Sequence, residues 1–120
     1  CRRWSVWVSM LEDRGKGLTS RETWGYIKRS HARTGLGYDE RGQYGFVVVD
    51  GRQSGYSRGM SLPELAQVFE DLGCTAAYNM DGGHTVFMTL ENRYVNHSYK
   101  PSKTISDCIC ICEPKKEAAA

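Results

Sequence analysis

Residues 78–85, which read YNMDGGHT, decide how this chain folds and where a site could lie. The pattern predicts a strand that ends in a carboxylate, Asp81, followed by two glycines and then a hydroxyl at Thr85. A second carboxylate, Asp50, follows the apolar run 44–49, about one βαβ unit earlier. Parallel strands would bring both acids to one edge of a sheet, where open α/β sheets bind ligands. The pattern therefore predicts a site at that edge.

The best-marked helix lies between these two strands. Ser61 and Glu64 have the spacing of a capping box, apolar residues then recur at helical spacing, and Gly73 is typical of a helix end. We therefore predict a helix at 61–72. A strand, this helix and a strand at 74–80 predict a right-handed crossover between parallel strands. The fold class is α+β (mixed α/β), a mixed β-sheet with a βαβ crossover and flanking helices.

Alternating or apolar runs predict several further elements. The continuous apolar run at 44–49 is typical of a central strand that is covered on both faces. A weaker capping box predicts an additional helix, and a Glu91-Asn92 turn predicts a hairpin. The further predicted elements are strands at 4–8, 34–38, 85–90 and 104–112, a turn at 39–42, and a helix at 19–30.

Composition restricts the functional classes. The chain has 120 residues with 40% hydrophobic and 25% charged positions, which is typical of one globular domain. Its net charge is only +2, and no basic stripe with interleaved aromatics occurs, so we expect no nucleic-acid partner. No apolar run approaches the ~20 residues of a transmembrane helix, and the N-terminus has no signal-peptide pattern. Because the first residue is Cys1 rather than Met, we expect a fragment or a processed product.

Three of the five cysteines alternate with isoleucine near the C-terminus. In a strand, Cys108, Cys110 and Cys112 would point to one face, which is a poor geometry for a disulfide between neighbours. A zinc site would more typically use C-x₂-C pairs. We therefore expect small buried hydrophobic side chains here, with metal binding or redox chemistry as the alternative.

The glycines after Asp81 permit close approach of a ligand to the backbone. The N–H groups of Gly82 and Gly83 could then hold an anionic oxygen, although a simple turn capped by the aspartate is an equal alternative. Asp50 could likewise mark only a turn. Two carboxylates at one edge could divide acid and base roles if their surroundings separate their pKa values. The pair is therefore a stronger indication than either acid alone.

Basic side chains near this edge have two interpretations each. His84 could transfer protons, or it could be a polar group at the mouth of a site. Arg33 could offer a bidentate fork to phosphate or form a surface salt bridge. Arg52 and Arg58 lie in a Gly/Ser/Arg-rich loop and could close over an anion, but we favour solvated charge for both.

Six ordered segments resemble motifs of the phosphodiester glycosidase family. The likeness covers about residues 32–112, and six motifs in the right order make it specific. The segments are ARTGLG at 32–37, VDGR at 49–52, SRGMSLPELA at 57–66, YNMDGGHT at 78–85, YVN at 94–96 and ISD at 105–107.

The resemblance implies hydrolysis of a sugar-1-phosphodiester similar to N-acetylglucosamine-1-phosphodiester, releasing free sugar and a phosphomonoester. It implies that Asp81 is the central catalytic carboxylate and that Asp50 is its partner or an orienting group. The sequence demands no metal or other cofactor, although Ca²⁺ could bind near Asp81. The substrate-binding residues that the resemblance implies are Arg33, Thr34, Asn79, Gly82, Gly83, His84, Thr85, Asn96 and Lys103.

The resemblance also implies a domain organisation. Residues 1–31 match none of the motifs, 32–112 look like the C-terminal portion of the domain, and 113–120 look like a flexible tail. Ala32 replaces the family's proline, and Lys103 replaces its arginine. The family's upstream β-rich portion finds no counterpart in 1–31.

Alternatives to an enzyme therefore stay open. The chain could be a truncated relative that binds an anionic glycan or phosphate without turning it over. It could also be a half-domain that completes a site with another chain, by self-association or with the upstream portion. By resemblance, we expect a sugar-phosphate or polysaccharide substrate, a bacterial and exopolysaccharide-associated relative, and an extracellular or cell-envelope location.

Overall fold

The computed structural model describes residues 6–8, 25, 28–101, 104–105 and 108–113. Those residues include six strands, one helix whose full length is described, and a short 3₁₀ turn at Gly83–Thr85. The strands are β1 (Val6–Val8), β2 (Arg33–Tyr38), β3 (Tyr44–Val49), β4 (Ala76–Asn79), β5 (Thr89–Leu90) and β6 (Arg93–Tyr94), and the helix is α1 (Leu62–Asp71).

The four longer strands form one mixed sheet in the order β1-β4-β2-β3. β1 pairs parallel with β4, whereas β2 pairs antiparallel with both β3 and β4. β3 and β4 therefore run in the same direction on either side of β2 without pairing with each other. The fold is mixed α+β, and the right-handed crossover through α1 stays a prediction. The described sheet places β3 at one end, so the expectation of a central strand was wrong.

The hairpin that joins β2 to β3 is organised by Asp39. Its Oδ1 accepts hydrogen bonds of 2.9 Å from the backbone N–H groups of Arg41 and Gln43. Gly42 takes a positive φ of 84°, a conformation that favours glycine. The turn predicted at these residues is therefore confirmed, and it fixes the antiparallel register of Tyr38 with Tyr44.

Helix α1 begins and ends where the sequence predicts. Ser61 is the N-cap, and its side chain and that of Glu64 exchange hydrogen bonds with each other's backbone. The backbone hydrogen bond from Ser61, followed by contacts with Arg58 and the Ser61 hydroxyl, lowers the pKa of Glu64 to about 2. Leu72 is the C-cap, and Gly73 follows with a φ of 78°.

The core lies between α1 and one face of the sheet. Phe69 and Leu65 of α1 are fully buried, and Phe69 fills a hollow over two glycines of β2. A Cβ atom on Gly35 or Gly37 would lie 2.6 Å from the Phe69 ring. Larger residues at these two positions would therefore push the helix away from the sheet.

The structure corrects the predicted elements after residue 82. In place of a strand at 85–90 it has the 3₁₀ turn and the short β5–β6 hairpin, whose turn residues Glu91 and Asn92 have φ of 49° and 62°. The described residues of 104–112 form no strand because no strand of the described sheet pairs with them. Cys108, Cys110 and Cys112 are exposed, so the expectation of buried cysteines was wrong.

Some predictions lie outside the described residues. Most of the helix at 19–30 is among them, although Gly25 and Lys28 are helical. Lys103 and residues 114–120 of the predicted tail also lie outside. Within the described part of the chain, no helix has the length and apolar character required to cross a bilayer.

Candidate functional site

The N-terminal end of β2 lies between the C-terminal ends of β3 and β4. Arg33 is in register with Val49 of β3, and Gly35 is in register with Asn79 of β4. Asp50 therefore leaves the sheet on one side of β2 and Asp81 on the other, at the same edge. No hydrogen bond or ion pair joins these two carboxylates within the described residues.

The backbone of Ala32, one residue before β2, is the contact point for both acidic turns. A Cβ atom on Gly51 would lie 2.4 Å from the Ala32 nitrogen, and one on Gly82 would lie 2.6 Å from the Ala32 oxygen. A Cβ atom on Gly59 would lie 2.3 Å from the oxygen of His31. Contacts this short exclude any side chain, so the glycines bring three segments together around one stretch of backbone.

The carboxylate of Asp50 is held by three donors. Asn96 Nδ2 donates to Oδ1 at 2.9 Å, and the backbone N–H of His97 donates to Oδ2 at 2.9 Å. The Tyr56 hydroxyl also donates to Oδ2, at 3.0 Å. Desolvation alone would raise the pKa of Asp50, but these hydrogen bonds outweigh it and lower the pKa below its ordinary value. The same contact with Asp50 raises the pKa of Tyr56.

Asn96 is also fully engaged. Besides Asp50, its Nδ2 donates to the Val86 carbonyl at 2.9 Å, and its Oδ1 accepts from the Met88 N–H at 2.8 Å. Gln53 Nε2 donates to the His97 carbonyl at 2.7 Å. Asp50 therefore anchors two loops to each other, one that follows β3 and one that follows β6.

Asp81 has a different environment. It is exposed, and among the described residues its carboxylate accepts only from its own turn, from the Gly82 N–H at 2.9 Å and the Thr85 hydroxyl at 3.0 Å. The Gly83 N–H donates to the Ala32 carbonyl at 3.0 Å. The N–H groups of Gly82 and Gly83, which the sequence suggests for binding an anion, are therefore already hydrogen-bonded within the protein. One side of the Asp81 carboxylate remains open to solvent.

The guanidinium of Arg52 lies against the same turn. The sequence instead favours a solvated loop charge for Arg52. A Cβ atom on Gly83 would lie 3.5 Å from both Nη1 and Nη2 of Arg52. Its Nη1 donates to the Tyr99 hydroxyl at 2.6 Å, and its Cζ lies 5.5 Å from the Tyr99 ring centre. Arg52 itself has a positive φ of 58°, which is uncommon for a side chain of this size. Its membership of the VDGR motif was the signal available in the sequence.

Two histidines border this cation. His31 Nδ1 lies 3.3 Å from Arg52 Nη2, and desolvation followed by the charges of Arg33, Arg52 and Arg29 lowers the pKa of His31. His84 is half-buried, with its ring centre 5.2 Å from that of Tyr99. His31 is therefore biased toward its neutral form beside the guanidinium.

Three of the predicted site residues lie inside the protein. Arg33 is fully buried and donates to the carbonyls of Met60 and Arg29 at 2.9 Å. Asn79 is 3% exposed, and Thr34 is half-buried. The side-chain oxygens of Asn79 and Thr34 have no hydrogen-bond partner within the described residues. The outer part of the site therefore consists of Asp81, Thr85, Arg52 and the rings of His84 and Tyr99.

Arg58, the second loop arginine, forms an ion pair with Glu64 and also contacts Ser30. Arg58 therefore contacts the capping box at the start of α1 and not the sheet edge that carries Asp81. Among the described residues, no group of three His, Cys, Asp or Glu side chains has a geometry that could hold a metal ion.

Comparison with known proteins identifies relatives. The family model of phosphodiester glycosidases matches residues 8–112 and so extends the likeness upstream of the motifs. The SPbeta prophage-derived uncharacterized protein YomE of Bacillus subtilis is 26% identical over 110 residues, which cover 91% of this chain and 17% of that protein. No solved structure matches the chain.

Two mammalian relatives carry the name N-acetylglucosamine-1-phosphodiester alpha-N-acetylglucosaminidase. The protein of Bos taurus is 27% identical over 98 residues, and that of Homo sapiens is 24% identical over 98 residues. Each alignment covers 75% of this chain, but only 18% and 19% of the respective relative. The chain thus spans less than a fifth of the length of these relatives. Because the family model covers most of its residues, the chain belongs to the phosphodiester glycosidase family.

Proposed function

We propose that this chain carries part or all of a site that hydrolyses a sugar-1-phosphodiester, such as a diester of N-acetylglucosamine-1-phosphate, to free sugar and a phosphomonoester. Family membership supports the reaction class. The observation that carries the proposal is the meeting of an exposed carboxylate and a guanidinium on one glycine turn. Asp81 begins this turn, and Arg52 lies against Gly83, two residues later.

Arg52 is the proposed partner of the phosphodiester. Its guanidinium offers charged N–H donors that match phosphate oxygens, and Tyr99 holds its orientation through one hydrogen bond and the ring face. Arg33 is buried against backbone carbonyls, so we assign it a supporting role beneath the site. In this proposal, Arg52 of the VDGR motif takes the phosphate-binding role that the sequence suggests for Arg33.

Asp81 is the proposed acid–base group. Cleavage of the bond between the anomeric carbon and the phosphate oxygen adds the elements of water, and a carboxylate next to the reacting atoms can accept a proton from that water. The phosphomonoester leaves as an anion, whose charge Arg52 would stabilise. Thr85 holds one oxygen of Asp81, which leaves the remaining lone pairs for substrate or water.

Asp50 and Asn96 are proposed as positioning residues. Every polar atom of their side chains already contacts the protein. They would act by fixing the loop that carries Tyr99, which in turn holds Arg52. His84 lies beside Tyr99 and would border the sugar or the phosphate.

A second candidate is a site that is completed by further polypeptide. The chain spans less than a fifth of its relatives, and apolar side chains of its last described segment are exposed. Ile109 is 54% exposed and Ile111 is 80% exposed. In this second candidate, further polypeptide covers these side chains, and the isolated chain binds the substrate without turning it over.

Incubation of the 120-residue chain with UDP-N-acetylglucosamine, followed by chromatography of the products, tests the proposal. We expect free N-acetylglucosamine and UDP, and no release of sugar from a neutral aryl N-acetylglucosaminide. Titration calorimetry with the same diester measures binding separately. Binding without turnover would favour the second candidate, and the absence of both, with the chain folded, would contradict the assignment of the site.

Arg52→Gln and Arg41→Gln form a matched pair for this experiment. Loss of charged hydrogen bonds should weaken binding of the diester by about tenfold to a hundredfold in Arg52→Gln. Arg41 pairs with Asp39 at the opposite end of the β2–β3 hairpin, so Arg41→Gln should bind as the unmodified chain does. Equal binding by the two variants would remove Arg52 from the site.

A further inference from the structure

The three thiols near the C-terminus are exposed, and two of them touch. Cys108 Sγ lies 3.4 Å from Cys110 Sγ, and both side chains are open to solvent. Cys74, in contrast, is buried against α1 in the core. The strand geometry expected from the sequence would have separated these sulfurs, but the described residues around them are irregular.

We propose that Cys108 and Cys110 form a redox-active dithiol that reacts with low-molecular-weight disulfides and closes an intramolecular disulfide. The two sulfurs are 3.4 Å apart and a disulfide bond is about 2.05 Å long, so they must approach each other by about 1.4 Å. Irregular, exposed backbone can supply that movement without disturbing the packed core. This inference does not depend on the proposed hydrolytic function.

The contact between the sulfurs makes each thiol the natural reaction partner of the other. Either sulfur can be the donor of the hydrogen bond between them. Thiolate is the attacking species in disulfide exchange, so whichever thiol of the pair loses its proton begins the reaction. The other thiol, whose sulfur lies 3.4 Å away, then resolves the mixed disulfide.

The reaction balances as two thiol–disulfide exchanges. The thiolate of one cysteine of the pair attacks one sulfur of glutathione disulfide, which forms a mixed disulfide and releases one glutathione thiolate that takes a proton. The thiol of the other cysteine then loses its proton and attacks the protein sulfur of the mixed disulfide, which releases the second glutathione as a thiolate that takes this proton. Two protein thiols are oxidised, and one small disulfide is reduced to two thiols.

A metal site is the alternative use of these sulfurs. A structural zinc site needs four ligands, and a catalytic one normally has three from the protein. Within the described residues no three His, Cys, Asp or Glu side chains are grouped in that way. Cys112 is exposed but no sulfur contact to it is present within the described residues, so the structure favours a two-sulfur exchange.

The test exposes the reduced chain to glutathione disulfide, quenches with acid, alkylates under denaturing conditions and measures the intact mass. We expect the chain to lose two hydrogens, and two of its five cysteines to resist alkylation. Cys112→Ser is the matched control, two residues from the pair, and it should oxidise as the unmodified chain does. Dithiothreitol should restore all thiols, because strained or exposed disulfides are easily reduced.

Two further variants show whether both sulfurs of the pair are needed. Cys108→Ser and Cys110→Ser should each accumulate a stable glutathione adduct on the remaining sulfur of the pair and should form no intramolecular disulfide. Tandem mass spectrometry of the segment after Lys103 locates the bond. A disulfide that includes Cys112, or intramolecular oxidation that persists in Cys108→Ser, would overturn the proposal.

Discussion

The two acids at the sheet edge, Asp50 and Asp81, have the same sequence context and opposite surroundings. Each follows a strand and precedes a glycine that abuts the backbone of Ala32. Asp50 receives hydrogen bonds from Asn96, His97 and Tyr56. Within the part of the chain that the structure describes, Asp81 receives them only from the residues of its own turn. The difference indicates that the glycine fixes the position of a carboxylate, whereas distant contacts decide whether it is available for chemistry.

The largest expected effect is on catalysis. Asp81→Asn should lower kcat for diester hydrolysis by about 10³-fold, because positioned acid–base groups contribute ~10² to 10⁴. Asp50→Asn should lower kcat far less, since in the proposed site Asp50 would act only through the loops it holds. Steady-state kinetics of both variants measures the contrast. Equal losses of kcat would show that the two acids work as a catalytic pair, and unchanged kcat in Asp81→Asn would refute its role.

The shared backbone anchor should give the next largest effect. Gly51→Ala and Gly82→Ala each place a methyl group within 2.6 Å of the Ala32 backbone. We expect each to lower the free energy of unfolding by about 3 kcal/mol, the upper part of the overpacking range. Urea denaturation followed by circular dichroism measures this change.

Gly45→Ala is the control for that experiment. Nothing lies within 4 Å of a Cβ atom on Gly45, although it belongs to the neighbouring strand β3. Its free energy of unfolding should change by no more than about 0.5 kcal/mol. If Gly51→Ala is as stable as Gly45→Ala, the close approach to Ala32 is not what holds the acidic turn.

On stability the order of the two acids should be reversed: replacing Asp50 should cost more than replacing Asp81, because Asp50 has more side-chain contacts. Asp50→Asn presents an amide donor where the protein already supplies donors, so it should lower the free energy of unfolding by about 2 kcal/mol. Asp81→Asn, at an exposed turn, should change it by less than about 0.5 kcal/mol. Thermal unfolding of both variants measures the difference. If Asp50→Asn were more stable than the unmodified chain, Asp50 would not be the residue that anchors the two loops to each other.

The smallest effect concerns a third acid, Glu64, which resembles Asp50 in being held by donors. Its folded-state pKa is about 2 and its ordinary value is 4.5. Its stabilising contribution is therefore complete above pH 4.5 and is lost as the pH falls toward 2. Glu64→Gln should have a lower Tm than the unmodified chain at neutral pH, and the gap should narrow through this window.

Glu70→Gln on the same helix is the control, because the Glu70 side chain takes no part in the capping box. A Tm gap for Glu64→Gln that stays constant between neutral pH and the acid limit would exclude its carboxylate as the source. Asp50, whose pKa is also lowered, contributes acid sensitivity of the same sign.

The elements with local signals were predictable from sequence. The capping box at Ser61, the apolar face of α1 and Gly73 gave the helix almost to the residue. The turn at Asp39 and the hairpin turn at Glu91 followed from residue types that suit those conformations. The two acidic turns were also visible, because aspartate followed by glycine is typical of a turn at the end of a strand.

Other features depend on which segments meet. An apolar run suits a central or a terminal strand equally, so the place of β3 at the end of the described sheet could not be read from its residues. The alternating segment 104–112 has the pattern of a strand, but a strand also needs a partner, and the described sheet supplies none. Its cysteines are consequently exposed rather than buried.

The sequence by itself determined the family, the central helix and the acidic turns, because these depend on short stretches of residues. Only the tertiary structure decided which charged groups face solvent. From the sequence we expect Arg33 to bind an anion and Arg52 to be a solvated charge, yet Arg33 is buried at the start of β2 and Arg52 lies on the turn of Asp81. The reason is physical: hydrogen-bond partners more than 40 residues away, such as Tyr99 for Arg52 and Asn96 for Asp50, fix the direction of each side chain.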